Sequence, residues 1–372
     1  MEALYIHIPF CTKVCTYCDF YKMVAKDSWK EKYVDYLLKE LEMRKDLLGN
    51  IKTVYIGGGT PSSLKLELQT KIFEALKSYI NVNDLTEFTI EANPDDITET
   101  LVKLWQENGI NRISLGIQSL KKKKLIKLGR THNSKTVKKA IKLITSNGIK
   151  NINADLIYGV GNEWFCKIKS DIKKLIRLGI THISTYSLII EEKTIIKKQL
   201  NEGKFKPMDE EKDAKTYQKI RSFLAKKGFV HYEISNFAKP GFESKHNLTY
   251  WNNQNYLGLG AGASYYIDDT RYTNIMNLEA YYHGIDNGEL NYLELSKLHK
   301  EEQMSEHVIL GLRKMSGFNI KEFEERFELS VFDAFPIVTE KIENKILELS
   351  GDYLKVPADK LYLMNSILVD FV

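Results

Sequence analysis

Cys11, Cys15 and Cys18 fall within eight positions, in the run Cys11-Thr12-Lys13-Val14-Cys15-Thr16-Tyr17-Cys18. A C-x-x-x-C-x-x-C loop can wrap three thiolates around one face of an iron–sulfur cubane and leave the fourth iron open to a small molecule. Two plainer readings compete with it, a structural zinc site and three inert thiols. Closed structural zinc calls for four ligands, and the nearby candidates are only His7 and Asp19. Inert thiols have no reason to share this spacing. The fourth cysteine, Cys166, lies far along the chain on an expected helix and reads as an ordinary packed thiol.

The elements that must position this loop are legible from periodicity. Short runs rich in β-branched and aromatic residues cover Leu4 to Ile8, Thr53 to Ile56, Glu87 to Glu91, Arg112 to Ile117, Asn153 to Tyr158 and His182 to Leu188. Between them, segments such as Trp29 to Leu48 and Leu101 to Asn108 carry apolar residues every three or four positions, as amphipathic helices do. A repeated punctuation, as in Asn108-Gly109-Ile110 and Leu178-Gly179-Ile180, ends helices and begins the return to a sheet. Repeated βα units with right-handed crossovers predict an α/β fold, a partial (β/α)6 TIM-like barrel, although an open doubly wound sheet fits the same pattern. The apolar run Leu188-Ile189-Ile190 is taken as part of a helix-covered strand.

Residues 1–235 form the expected barrel, and 236–295 a loop-rich extension holding the Gly-rich run Leu257 to Ala263. Residues 296–372 read as a small α+β C-terminal domain, with a hairpin made of Tyr353 to Val356 and Lys360 to Leu363. Helices plus a hairpin could suggest a winged helix, but there is no basic recognition helix and DNA binding is not inferred. The 54 basic and 49 acidic residues leave +5, spread along the chain, which gives no case for a nucleic-acid partner. Lys121 to Lys124 reads as a solvated helix end. No secretory leader and no transmembrane segment is expected, and clustered free thiols fit a reducing compartment, the cytoplasm.

Tyr5-Ile6-His7-Ile8-Pro9-Phe10, running into the three cysteines, resembles the radical SAM superfamily, in particular its coproporphyrinogen oxidase-like branch. The resemblance implies a barrel of the radical SAM type and a [4Fe–4S] cluster on Cys11, Cys15 and Cys18. It also implies S-adenosylmethionine (SAM) chelated at the open iron, whose reductive cleavage gives a 5′-deoxyadenosyl radical. The turn Gly57-Gly58-Gly59-Thr60-Pro61 reads equally as a plain turn or as a place where a ligand approaches backbone closely. It is not a P-loop, and in the family it contacts the methionine part of SAM. Glu91, Gln118 and Asp155 are polar groups near strand ends, where barrel enzymes place their sites. By match to the family pattern, Tyr5, Gly58, Gly59, Thr60, Glu91, Gln118, Arg130 and Asp155 would be SAM contacts, with Tyr17 against the adenine.

Two groups in this branch share those motifs, the oxygen-independent coproporphyrinogen III oxidases and the haem chaperones of the HemW type. The oxidases carry a further cysteine two positions after the third cluster ligand, where this chain has Phe20, and a longer segment before the first strand. His246-Asn247-Leu248-Thr249-Tyr250 resembles the H-N-x-x-Y motif associated with haem binding in the chaperones. His246 and Tyr250 have side-chain types known as haem-iron ligands, though a histidine among aromatics also fits a packed, hydrogen-bonded residue. Glu233 to Ala238 and Gly258 to Ala263 match the same branch. Gly159-Val160-Gly161-Asn162-Glu163-Trp164 departs from the family's Gly-Leu-Pro-Gly-Gln-Thr. The resemblance, which covers nearly the whole chain, implies haem carried as cargo to haem-accepting proteins, respiratory membrane enzymes among them. It also implies a reductant such as flavodoxin or ferredoxin. The alternatives are coproporphyrinogen III oxidation in porphyrin biosynthesis, or radical chemistry on another substrate.

Overall fold

The six apolar runs become parallel strands that neighbour one another in chain order: β1 (Ala3–Ile8), β2 (Thr53–Gly58), β3 (Glu87–Ala92), β4 (Arg112–Gln118), β5 (Asn151–Tyr158) and β6 (His182–Ser187). The computed structural model describes residues 1–372. Parallel neighbours require crossovers. These are α1 (Asp27–Met43), α2 (Leu66–Tyr79), α3 (Glu99–Glu107), the pair α4 (Lys122–Lys127) and α5 (Ser134–Ser146), and α6 (Phe165–Arg177). Gly109 (φ +84°) and Gly179 (φ +96°) take the left-handed conformation just past α3 and α6 and turn the chain back toward the sheet.

Beyond β6 come α7 (Ile195–Asn201) and α8 (Glu210–Ala225), then β7 (Val230–Glu233) and β8 (Asn236–Ala238); β8 pairs antiparallel with β6, and β7 pairs antiparallel with β8 at the edge. The sheet therefore stays open at β7 and is a partial barrel. Its β1 side is extended after α9 (Lys245–Trp251) by β9 (Tyr256–Leu259), β10 (Ser264–Ile267) and β11 (Thr270–Asn274), and, past α10 (Leu278–Asp286), by β12 (Tyr292–Lys297). β9 lies parallel to β1, with Tyr5 opposite Gly258. The stretch expected to be loop-rich thus supplies most of one flank of the sheet. The glycine that suggested a loop is a strand position: a Cβ on Gly258 would sit 2.7 Å from the Ser264 carbonyl oxygen.

Other expectations need correcting. β6 stops at Ser187 because its partner β5 ends at Tyr158, and Ile189 beyond it is 68% exposed, so Leu188 to Ile190 is not a covered strand. In the C-terminal domain, which is built on α11 (Lys300–Leu312), β13 (Phe318–Asn319) joins a hairpin of β14 (Glu348–Ser350) and β15 (Tyr353–Lys355). The turn is Gly351-Asp352, with Gly351 at φ +60°, while Leu361–Leu363 is a short 3-10 turn instead of a second hairpin strand. Lys124 is no solvated helix end, for it is buried and paired with Glu163 at 2.7 Å. Cys166 is not packed; it lies exposed on α6.

One continuous apolar core joins the barrel, its flank and the C-terminal domain, since Leu4, Leu257, Val308 and Phe371 belong to a single packed cluster. The flank is also tied by a buried carboxylate on α1. Glu40, fully buried, accepts from Tyr281 Oη at 2.6 Å, Gly260 N at 2.7 Å and Asn274 Nδ2 at 2.9 Å. Glu40→Ala leaves these donors without an acceptor, so a loss of about 3–5 kcal/mol is expected in urea unfolding, with Glu40→Gln losing less. A loss below about 1 kcal/mol would show that the tie is not needed.

Candidate functional site

The cysteine loop grows out of the pairing of β1 with β2. That pairing continues past both strands, with Gly59 N donating to Ile8 O and Thr60 N to Phe10 O, each at 2.8 Å. The loop returns through Cys11 N to Met23 O (2.9 Å) and Met23 N to Pro9 O (2.7 Å). Its middle is pinned by Thr16 N to Leu128 O (3.2 Å) and by Ile196 N to Thr16 O (2.8 Å). Cys11 is buried, Cys15 and Cys18 are half-buried, and none is in a disulfide.

Donors face these sulfurs. Thr60 Oγ1 lies 3.5 Å from Cys11 Sγ, and Arg130 Nη1 lies 3.4 Å from Cys15 Sγ. Burial pushes the Cys11 and Cys18 thiols above their ordinary pKa, while the Thr60 hydroxyl and the Lys22 ammonium, respectively, pull back toward thiolate. Metal binding displaces such thiol protons. A fourth thiolate or imidazole is not at hand. His7 has both ring nitrogens engaged, Nδ1 with Tyr5 Oη at 2.9 Å and Nε2 with the Tyr21 carbonyl at 3.1 Å. No three His, Cys, Asp or Glu side chains are arranged to grip a single metal ion. Three cysteines on one pinned loop, faced by a guanidinium and a hydroxyl, are donors of the kind that would hold an iron–sulfur cubane, whereas closed zinc calls for a fourth ligand.

Beneath the loop, the residues picked out as SAM contacts fall into separate groups, one around Asn93 and one around Glu91, with Gln118, Tyr17 and Asp155 apart. Asn93 links Thr60 Oγ1 (3.4 Å) to Arg130, which also donates to the Gly116 carbonyl at 2.5 Å. Glu91 accepts from Tyr55 Oη at 2.7 Å through Oε1 and from Gly58 N at 3.1 Å through Oε2. Tyr5 packs beside Tyr55, ring centroids 6.1 Å apart. Gln118, buried at the end of β4, has φ +59° next to a register shift, a bulge that re-aims its side chain. Tyr17 packs on the small apolar cluster of Leu128, Ile157 and Val160. Asp155 accepts from Ser114 Oγ (3.0 Å) and Asn153 Nδ2 (2.8 Å). The glycine turn has an internal reason for lacking side chains: Cβ atoms on Gly58 and Gly59 would lie 2.7 Å from the His7 ring and 2.8 Å from the Phe10 carbonyl oxygen.

The other motif lies at the opposite end of the barrel. His246 on α9 is fully buried; its Nδ1 meets Thr53 Oγ1 at 2.9 Å and its Nε2 meets Tyr250 Oη at 2.6 Å. Glu87, at the start of β3, caps this helix by accepting from Lys245 N (2.9 Å), His246 N (3.2 Å) and Ser244 Oγ (3.2 Å). Burial lowers the pKa of His246 to about 3, so the ring is neutral and of the right form to ligate iron, but both nitrogens are already partnered.

Comparison with known proteins now adds to the geometry. Residues 5–184 match the Radical SAM superfamily model, and residues 298–359 match the HemN C-terminal domain model. The curated "Heme chaperone HemW" of Lactococcus lactis is 38% identical over 372 residues, covering 100% of this chain and 97% of that protein. The protein of the same name from Bacillus subtilis is 37% identical over 348 residues, 93% of this chain and 92% of its own. The chain is a radical SAM protein of the HemW family. Its fold is that of Escherichia coli coproporphyrinogen III oxidase (HemN), with a TM-score of 0.86 at 21% identity over 100% of this chain and 90% of that one.

Sequence reasoning passed over Tyr55, Asn93 and Glu87, which the structure sets against the candidate residues. Glu87, opening β3, and Tyr55, within β2, are polar residues beside apolar ones in buried strands, which is the signal that could have flagged them. Asn93 carries no such mark, because it follows the strand. Phe20 is 67% exposed at the mouth of the cysteine loop. The departing loop after β5 turns through Gly159 (φ +80°) and Gly161 (φ +67°) without a proline.

Burial, with the nearby Asp155 charge adding to it, raises the Glu91 carboxyl from 4.5 to about 7 despite the Tyr55 and Gly58 hydrogen bonds. The folded chain holds this proton more tightly than the unfolded one. Its contribution to stability is therefore complete below pH 4.5 and is lost as pH rises through about 7. Urea midpoints of wild type and Glu91→Gln, compared at acidic and alkaline pH, should shift in favour of the variant as pH rises. A pH-independent difference would contradict the assignment.

Proposed function

We propose that this chain holds a [4Fe–4S] cluster on Cys11, Cys15 and Cys18, binds SAM beside it, and carries haem to acceptor proteins. The observation that carries the reading is the cysteine loop, three thiols pinned by neighbouring backbone and faced by Thr60 and Arg130 with no fourth ligand near. The haem part is supported by the full-length relationship to proteins named heme chaperone HemW, and by Phe20 standing where the oxidases carry a further cysteine.

When bound, the cluster supplies an open iron for the amino and carboxylate groups of SAM and an electron for its sulfonium. The chain's own residues do the rest. Gly58, Gly59 and Thr60 present the turn to the methionine end, and Arg130 holds positive charge against Cys15. Glu91 and Gln118 stand near the ends of β3 and β4, Tyr5 and Asp155 lie within β1 and β5, and Tyr17 offers an aromatic face to the adenine. At the far end His246 and Tyr250 are the haem residues. Because Tyr250 Oη occupies His246 Nε2, haem iron reaches that nitrogen only when the tyrosine swings off, so loading involves local opening of α9.

The compartment that suits free cysteines is the reducing cytoplasm, and no helix is long and apolar enough to cross a membrane. Respiratory membrane enzymes are the acceptors this reading favours. The electron donor would be of the flavodoxin or ferredoxin class.

The second reading, oxidative decarboxylation of coproporphyrinogen III, draws on the shared fold with the oxidase. Haem and coproporphyrinogen assays run side by side on anaerobically reconstituted protein separate the two. Wild type should bind haem and form no protoporphyrinogen with dithionite and SAM. His246→Gln combined with Tyr250→Phe should weaken haem binding by about tenfold or more, with the cluster absorbance unchanged. Protoporphyrinogen at a catalytic rate overturns the chaperone reading, and an unchanged haem titration removes His246 and Tyr250 from it.

A further inference from the structure

The SAM-end carboxylate and the haem-motif histidine sit at opposite ends of the barrel, yet one side chain separates them. Thr53, Tyr55 and Gly57 alternate on the same face of β2, the face turned into the barrel. Thr53 Oγ1 holds His246 Nδ1 at 2.9 Å. The Tyr55 ring packs on the His246 imidazole, centroids 5.3 Å apart at 30°, and its hydroxyl donates to Glu91 Oε1 at 2.7 Å. The other oxygen of Glu91 takes the amide of Gly58 at 3.1 Å. Gly57 leaves room for this contact, because a Cβ there would lie 2.8 Å from the Tyr55 ring edge and 3.2 Å from Glu91 Oε1. His246, Tyr55, Glu91 and Gly58 therefore form one packed series.

We infer that Tyr55 is a positioning residue that makes SAM and haem binding antagonistic, by linking the Glu91 and Gly58 end to the His246 and Tyr250 pair. The inference rests on the function proposed above. SAM seated on Gly58 and Glu91 fixes the acceptor of the Tyr55 hydroxyl, and the fixed ring holds His246 in its buried place against Thr53. Haem needs the reverse. Freeing His246 Nε2 from Tyr250 moves the imidazole off the Tyr55 ring and loosens the hydroxyl that orders Glu91. A ligand that favours one arrangement disfavours the other, and the two binding free energies must be linked reciprocally.

The test titrates haem into reconstituted full-length protein with and without saturating SAM, and SAM with and without haem, in wild type and Tyr55→Phe. Wild type should show haem Kd raised about fivefold or more by SAM, and SAM Kd raised by the same factor by haem. In Tyr55→Phe, which keeps the ring and removes only the hydroxyl, each ratio should fall below about twofold while the cluster absorbance and thermal midpoint stay close to wild type. A merely structural role for Tyr55 would lower stability without abolishing the ratio. A wild-type ratio near one with both ligands bound, a ratio of the opposite sign, or an undiminished ratio in Tyr55→Phe overturns the inference and leaves the haem-chaperone reading standing. Wild type that binds no haem or no SAM overturns both. Should Tyr55→Phe fail to fold, the wild-type ratio alone still decides whether antagonism exists.

Discussion

The parallel pairing of Ala3–Ile8 with Thr53–Gly58 is the constraint on which the site depends. Its register puts Ile8 opposite Gly58, and the ladder runs on into both loops through Gly59 and Thr60. That continuation sets Thr60 against Cys11 and Gly58 against Glu91. Slipping the register by one residue would put Tyr5 and Tyr55 on opposite faces of the sheet and carry the threonine away from the thiol. The strand that imposes this geometry is protected on its other side as well. β9 pairs with β1, and Glu40 ties the turn after β9 to α1.

The barrel interior is polar along much of its height, which is costly unless each group finds a partner. Near the thiols the partners are Asn93, Arg130 and Glu91. In the middle they are Ser114, Asn153 and Asp155, with His182 meeting Asn153 Oδ1 and Tyr232 Oη, each at 2.7 Å. At the base Glu87 serves Ser244, Lys245 and His246, and lies 4.0 Å from the buried Arg112. Apolar side chains would fill the same volume with no such demands. Between the two ends, Tyr55 alone touches both Glu91, through its hydroxyl, and His246, through its ring.

Much of this was readable beforehand. The six strands announced themselves because their apolar runs are short and separated by helical period, and the cysteine loop because no packing role accounts for its spacing. What escaped was decided by tertiary contact. Gly258 looked like a loop residue until β10 was seen to pack its backbone against it. Lys124 looked solvated until the loop after β5 brought Glu163 to it. Tyr55 and Glu87 show in sequence only as polar residues of apolar-looking strands, and their neighbours across the barrel give them a role. The H-N-x-x-Y motif was visible as a pattern, but its depth was not: spacing says that His246 and Tyr250 share a helix face, while burial beneath Glu87 and Thr53 follows from where α9 docks.

The central claim is that Cys11, Cys15 and Cys18, and not Cys166, hold an iron–sulfur cubane with one corner left for SAM. The direct measurement is Mössbauer and paramagnetic resonance spectroscopy of anaerobically reconstituted wild type beside the single serine variants of all four cysteines. Wild type and Cys166→Ser should show a [4Fe–4S] centre whose reduced signal shifts on adding SAM, and each of the other three variants should lose it. A centre absent from wild type, retained in full by any of those three variants, lost in Cys166→Ser, or indifferent to SAM would contradict the account.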